Sequence, residues 1–166
     1  MTLFISDKKE IVESAEGMER EARWFMAAAA SCALFGGVYE IFSHQVYSLF
    51  MIFAFAIPLL PGALLYLAIA LMAKRKARNA ETAYVEDESA DLRNGFCFPG
   101  RIARNAWNSG LAALTVGCIF QGILEIYGTT NKMIAVYPVA AAVLLCFGFA
   151  AYLIPLLTLK RLRRYI

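Results

Sequence analysis

The chain has 166 residues, 60% of them hydrophobic and 17% charged, with a net charge of +3. A soluble domain averages about 45–50% apolar and about 25% charged residues, so a chain this short and apolar is excluded as an ordinary soluble globule. The charges are also segregated: Glu40 is the one Asp, Glu, Lys or Arg between Trp24 and Ala73, and Glu125 and Lys132 are the two between Asn105 and Leu159. The expectation is an all-α integral membrane protein forming a single membrane domain over 1–166.

Residues 1–23 are charged, with six acids, and predict a cytoplasmic helix capped by Ser6. Ile11, Ala15, Met18 and Ala22 share one face, and the helix reads as an extension of the first span. A cleavable signal is not expected, because the first apolar run starts too late and is too long. One helix needs roughly 20 residues to cross the hydrocarbon layer, so each apolar block holds two spans. The first covers 25–42 and the second 46–73, separated by "SHQ". "PLLPG" interrupts the second span, and Pro58, Pro61 and Gly62 are expected to kink or locally unwind it.

The polar stretch 74–105 is read as a cytoplasmic loop, ending in an interfacial elbow rich in aromatics and arginine. The third span covers 106–127 and the fourth 133–159, with "GTTNK" between them. Residues 160–166 form a basic tail. Fifteen Lys and Arg flank the spans on the side of the termini and the central loop, and one, Lys132, lies in a turn. This bias places both termini in the cytoplasm of a multi-pass protein of the plasma (inner) membrane.

The chain also repeats itself. Phe35, Gly37, Val38, Glu40, Ile41 and Phe42 match Phe120, Gly122, Ile123, Glu125, Ile126 and Tyr127 at an offset of 85. At an offset of 86, Gly62, Tyr66 and Leu67 match Gly148, Tyr152 and Leu153, and Lys74, Arg75 and Arg78 match Lys160, Arg161 and Arg164. Repeat 1 is then 24–73 and repeat 2 is 106–159. Two tandem helix hairpins related by a pseudo-two-fold axis along the membrane normal would form a four-helix bundle.

The repeated glutamates are the candidate site. One and two turns before Glu40 stand Gly37, Gly36 and Ala33; before Glu125 stand Gly122, Gln121 and Cys118. Small residues at this spacing let helices approach closely in lipid, so each Glu is expected on a packing face. A carboxylate in the last turn of a helix opposes the macrodipole, and its repetition calls for partners. His44, Gln121 and Thr129 are the candidates beside the two acids, with Lys132 and Tyr137 in reach. Two readings stay open: a hydrogen-bonded clamp, or a cation site between the repeats.

The rest of the chain excludes chemistry more than it suggests any. The four cysteines, Cys32, Cys97, Cys118 and Cys146, form no C-x-x-C pair, and one histidine cannot ligate a haem through two imidazoles. No nucleotide-binding, nucleophile-elbow or zinc-protease motif is present, so no catalytic residue, cofactor or metal ligand is assigned. The expected function is non-enzymatic: an accessory or assembly subunit among other membrane subunits, or self-associated, with no role in nucleic-acid binding. The alternative is a small oligomeric transporter or channel with a cation at Glu40 and Glu125.

Overall fold

A computed structural model describes residues 2–42, 46–83 and 98–162. His44, Cys97 and the "EDESAD" run lie outside them. Among the described residues all regular structure is helical. Four segments, Ile11–Phe42, Leu49–Asn79, Arg101–Ile126 and Lys132–Ile154, are long and apolar enough to cross a membrane.

Helix α1 runs unbroken over Thr2–Phe42. The first proline of the chain is Pro58 and the run "MAAAASCAL" is rich in good helix formers, so nothing separates the polar first half from the apolar second. Ala15, Met18 and Ala22 are buried, which is why the polar half holds its helix against a neighbour.

The second span, where "PLLPG" stands, is not one regular helix. It consists of α2 (Leu49–Phe53), a turn at 54–55, a π-helical segment Pro58–Leu64 and α3 (Leu65–Ala83). Pro58 and Pro61 carry no N–H, so the ordinary ladder cannot pass through them. The backbone widens instead, and the Leu65 N–H bonds to the Gly62 carbonyl. The Pro61 carbonyl accepts the Trp107 indole N–H at 3.0 Å. A neighbouring helix thereby adds a hydrogen bond to the backbone at the break.

The polar stretch 74–105 is entered by a helix from each side. α3 continues to Ala83, and α4 (Arg101–Ile126) starts after an extended Gly100. α4 closes on Gly128, whose φ of +65° is the left-handed conformation that favours glycine. The Gly128 N–H reaches the Glu125 carbonyl at 3.1 Å and the Thr129 N–H reaches the Leu124 carbonyl at 3.0 Å, which is a Schellman stop. A short 3₁₀ turn over Lys132–Ala135 follows, held by the Met133 N–H on Asn131 Oδ1 at 2.9 Å, and leads into α5 (Val136–Leu162).

Packing links these elements in a row. α1 lies antiparallel to the π segment and α3, α2 and the π segment pack on α4, and α4 packs along α5. In an apolar 18-residue stretch of each outer span 11% of residues are buried, against 28% and 22% in the corresponding stretches of the inner two. The bundle expected from the sequence is therefore laid out as neighbours in order.

Two contacts fasten the middle of the row. Phe25 of α1 stacks on Tyr66 of α3 with ring centroids 5.8 Å apart, inside a cluster with Met18, Ala22 and Ala70. Phe98 and Trp107 close over that cluster, and the Tyr66 hydroxyl donates to Asn108 Oδ1 of α4 at 2.6 Å.

The glycines divide sharply by what surrounds them. A Cβ on Gly122 would stand 2.9 Å from the backbone nitrogen of Met51, and one on Gly36 would stand 3.0 Å from the Met51 carbonyl oxygen; at Gly37 nothing lies within 4 Å. Gly122→Ala is expected to cost about 1–3 kcal/mol through overpacking. Gly37→Ala should be neutral or stabilise by up to about 1 kcal/mol through helix propensity. Thermal unfolding of the two variants in detergent measures the difference, and equal losses would refute this packing.

Candidate functional site

Where α1 and α4 end, both helices present a glycine and, about one turn later, a glutamate: Gly36 with Glu40, and Gly122 with Glu125. Between them sits the start of α2. Met51 is 1% exposed and meets both glycines, so its backbone occupies space that any side chain on either helix would take. Ser48, one turn earlier, meets both glutamates. Its N–H donates to Glu40 Oε1 at 3.1 Å, and its Oγ–H donates to Glu125 Oε2 at 2.6 Å.

The electrostatics follow from that layout. A carboxylate at a helix C-terminus is locally unfavourable, and here each is given a donor on a third segment. Ser48 is the N-cap residue of α2 but makes no side-chain capping bond. Its hydroxyl instead serves a carboxylate, which is the stronger kind of hydrogen bond. Ser48 is 1% exposed, Glu40 is half-buried and Glu125 is exposed at the rim. Gln121 Nε2 reaches Glu125 Oε1 at 3.4 Å, and the side chains of Tyr39 and Tyr127 hydrogen-bond to each other across the same junction.

The candidates from the sequence fall into place unevenly. Glu40, Glu125 and Gln121 come together; His44 lies outside the described residues. Thr129 contributes its N–H to the Schellman stop, Lys132 begins the 3₁₀ turn, and Tyr137 packs its ring on Phe120 with centroids 5.6 Å apart. Of the expected packing residues, Gly36 and Gly122 are buried, Cys118 is half-buried, and Ala33 and Gly37 are exposed. The repeat pairs Gly37 with Gly122, whereas the two glycines that meet across Met51 are Gly36 and Gly122. Neighbouring residues on a helix point about 100° apart, so one position of slippage changes which glycine packs. Pro58, Pro61 and Gly62 lie in the π segment, where a Cβ on Gly62 would meet the Phe25 ring at 2.5 Å.

Ser48, Met51, Trp107 and Asn108 were not singled out by the sequence. Ser48 carried a usable signal, being the polar residue directly before an apolar helical run. No comparable signal marks Trp107, since an aromatic at a span boundary is expected whatever it touches.

Among the described residues, no group of three or more His, Cys, Asp or Glu stands together as a metal site. Comparison with protein families, curated proteins and solved structures finds no match to this chain.

Ser48→Ala should lower the unfolding free energy by about 1.5 kcal/mol, the low end of the range for a hydrogen bond to a charged group, since Glu125 is exposed at the rim. A double-mutant cycle with Glu125→Gln should give a coupling of at least about 0.5 kcal/mol. Strict additivity of the two variants would remove the bond from any account of the fold's stability.

Proposed function

We propose that the chain is a four-span membrane protein built as two parallel hairpin repeats, with both termini in the cytoplasm, acting as a non-enzymatic accessory or assembly subunit of a membrane complex. The Lys and Arg distribution supports the orientation. Two features support the repeat: Gly62 and Gly148, at matching positions, each press against the first helix of their own pair, on Phe25 and on the Trp107 backbone. Glu40 and Glu125 likewise end on one serine.

The observation that carries the accessory reading is the shared serine. Both carboxylates spend an oxygen on the same interior residue, and together they join α1 to α4. Such a joint fixes the relation of two helix pairs and presents a rigid surface to a neighbour. The second reading, a cation between the repeats, draws on one fact: two acids converge, and one of them is exposed at the rim.

Reconstitution separates the two. Glu40→Gln and Glu125→Gln in liposomes are expected to leave monovalent and divalent cation flux unchanged while lowering the melting temperature. A fall in flux of about tenfold at full stability would establish the cation reading instead. The accessory reading also requires a stoichiometric partner when the chain is purified gently from its native membrane; purification alone would count against it. In a cysteine-less background, His44→Cys and Thr130→Cys should react with an impermeant maleimide added outside intact cells, and silence at both positions would overturn the orientation.

A further inference from the structure

α4 packs through two faces. On the first, Gly110 and Gly117 meet Leu145 and Tyr137, which belong to the second helix of the same pair. About a third of a turn round the helix, Leu111, Thr115, Cys118 and Gly122 share another face, at helical spacing. That face is turned to the other pair. Gly122 meets the Met51 backbone of α2, Leu111 is 1% exposed, and Thr115 and Cys118 are half-buried.

The same two faces exist on α1. The first is used within its own pair, where Gly36 meets Met51 and Phe25 meets Gly62. On the second, the counterparts of Leu111, Thr115, Cys118 and Gly122 at the offset of 85 are Met26, Ala30, Ala33 and Gly37. All four are exposed, and a Cβ on Gly37 would find nothing within 4 Å. Gly36 therefore serves its own pair, while Gly37 stands where Gly122 serves the other one. The helix that fills the α4 face shows a matching difference. Ala54 and Pro58 are buried. Their counterparts on α5 at the offset of 86, Ala140 and Leu144, are half-buried, and Phe147, the counterpart of Pro61, is 56% exposed. A contact that the chain makes once between its pairs is thus left with both its faces exposed at the ends of the row, on α5 and on α1.

We propose that a second copy of the chain docks head to tail, its α5 lying on the Met26, Ala30, Ala33 and Gly37 face of α1 as α2 lies on α4. The occupant follows from the inner contact: the surface that covers this face on α4 is the second helix of a pair, and α5 is the second helix whose matching side is exposed. Ala30, Ala33 and Gly37 let a helix backbone approach closely in lipid, as Gly122 does for α2. Both copies keep the same orientation in the bilayer. The contact is heterologous, so each copy offers one face of each kind, and a rotation that closes gives a ring. The position matching Ser48 is Ile134, so the copies meet by apolar packing without the hydroxyl that fastens the inner joint. The proposal rests on the hairpin-repeat reading for the equivalence of the faces, and it names a self-partner for the accessory subunit.

The test uses the full chain in phosphatidylcholine liposomes. In a cysteine-less background, Ala33→Cys and Ala140→Cys are placed in separate chains carrying different tags. The register set by Gly122 on Met51 puts their counterparts, Cys118 and Ala54, at the same level of the inner contact. Oxidation after co-reconstitution should give a mixed-tag dimer, and neither chain alone should give one. Ala30→Leu with Gly37→Leu should cut the mixed dimer about tenfold. The same pair of changes should leave the melting temperature in dilute detergent unchanged, because that face has room for them. Absence of the mixed dimer overturns the proposal and leaves the face to lipid, as does a yield that simply follows the protein-to-lipid ratio. A dimer formed by either chain alone overturns it too, since like helices would then meet. A chain carrying both cysteines that cross-links only within itself would place α5 on its own α1, and persistence of the mixed dimer in the leucine variant would move the contact elsewhere; each overturns it. A stoichiometric native partner of another sequence, found without the mixed dimer, sinks the self-contact and leaves the accessory reading. The mixed dimer without such a partner establishes the self-contact and counts against a foreign complex.

Discussion

The backbone at Met51 passes between two helices that leave room for it only because each lacks a side chain at the point of contact. Gly36 and Gly122 set that spacing, and the rest of the junction depends on it. With Met51 seated, Ser48 falls one helical turn away, at the level of Glu40 and Glu125, and both hydrogen bonds can form. A methyl group on Gly122 would press into the Met51 backbone and shift α2 away from both carboxylates, whereas one on Gly36 would require the Met51 carbonyl to yield by a few tenths of an ångström. Close approach comes first and polar satisfaction follows from it.

The prolines are handled by the same logic. Pro58 and Pro61 cost the second span part of its ladder; the backbone widens there, and the Trp107 indole of α4 bonds the Pro61 carbonyl at the break. The break is useful to the packing as well. It frees α2 to sit between α1 and α4 at one end while α3 runs along α1 at the other.

Much of this was legible in the sequence because hydropathy and small-residue spacing are local properties. The four long apolar segments, the stripe of Ala15, Met18 and Ala22, and the pairing of glycine with glutamate could all be read from residues a turn or two apart. The Ser48 bonds could not. Glu125 lies 77 positions from its donor, and nothing in "SHQVYS" says which hydroxyl will face inward. Helix phase was the second obstacle. Gly36 and Gly37 are adjacent in sequence, and only the direction of a neighbour decides which one packs. Nor does the charge after Ala73 reveal that those residues extend a helix, held by Glu19 and by the buried alanines of α1.

The two bonds to Ser48 also differ in how soon their partners exist. Glu40 is eight residues upstream of the serine, so its bond can form once α1 and α2 have been made. The Glu125 acceptor arrives only with α4, late in synthesis that proceeds from the N-terminus. Until then the first pair holds an inward-facing hydroxyl with no carboxylate to receive it, and an open slot beside Met51. The joint is therefore completed in two steps, the Glu40 bond within the first pair and the Glu125 bond only once the second pair is in place.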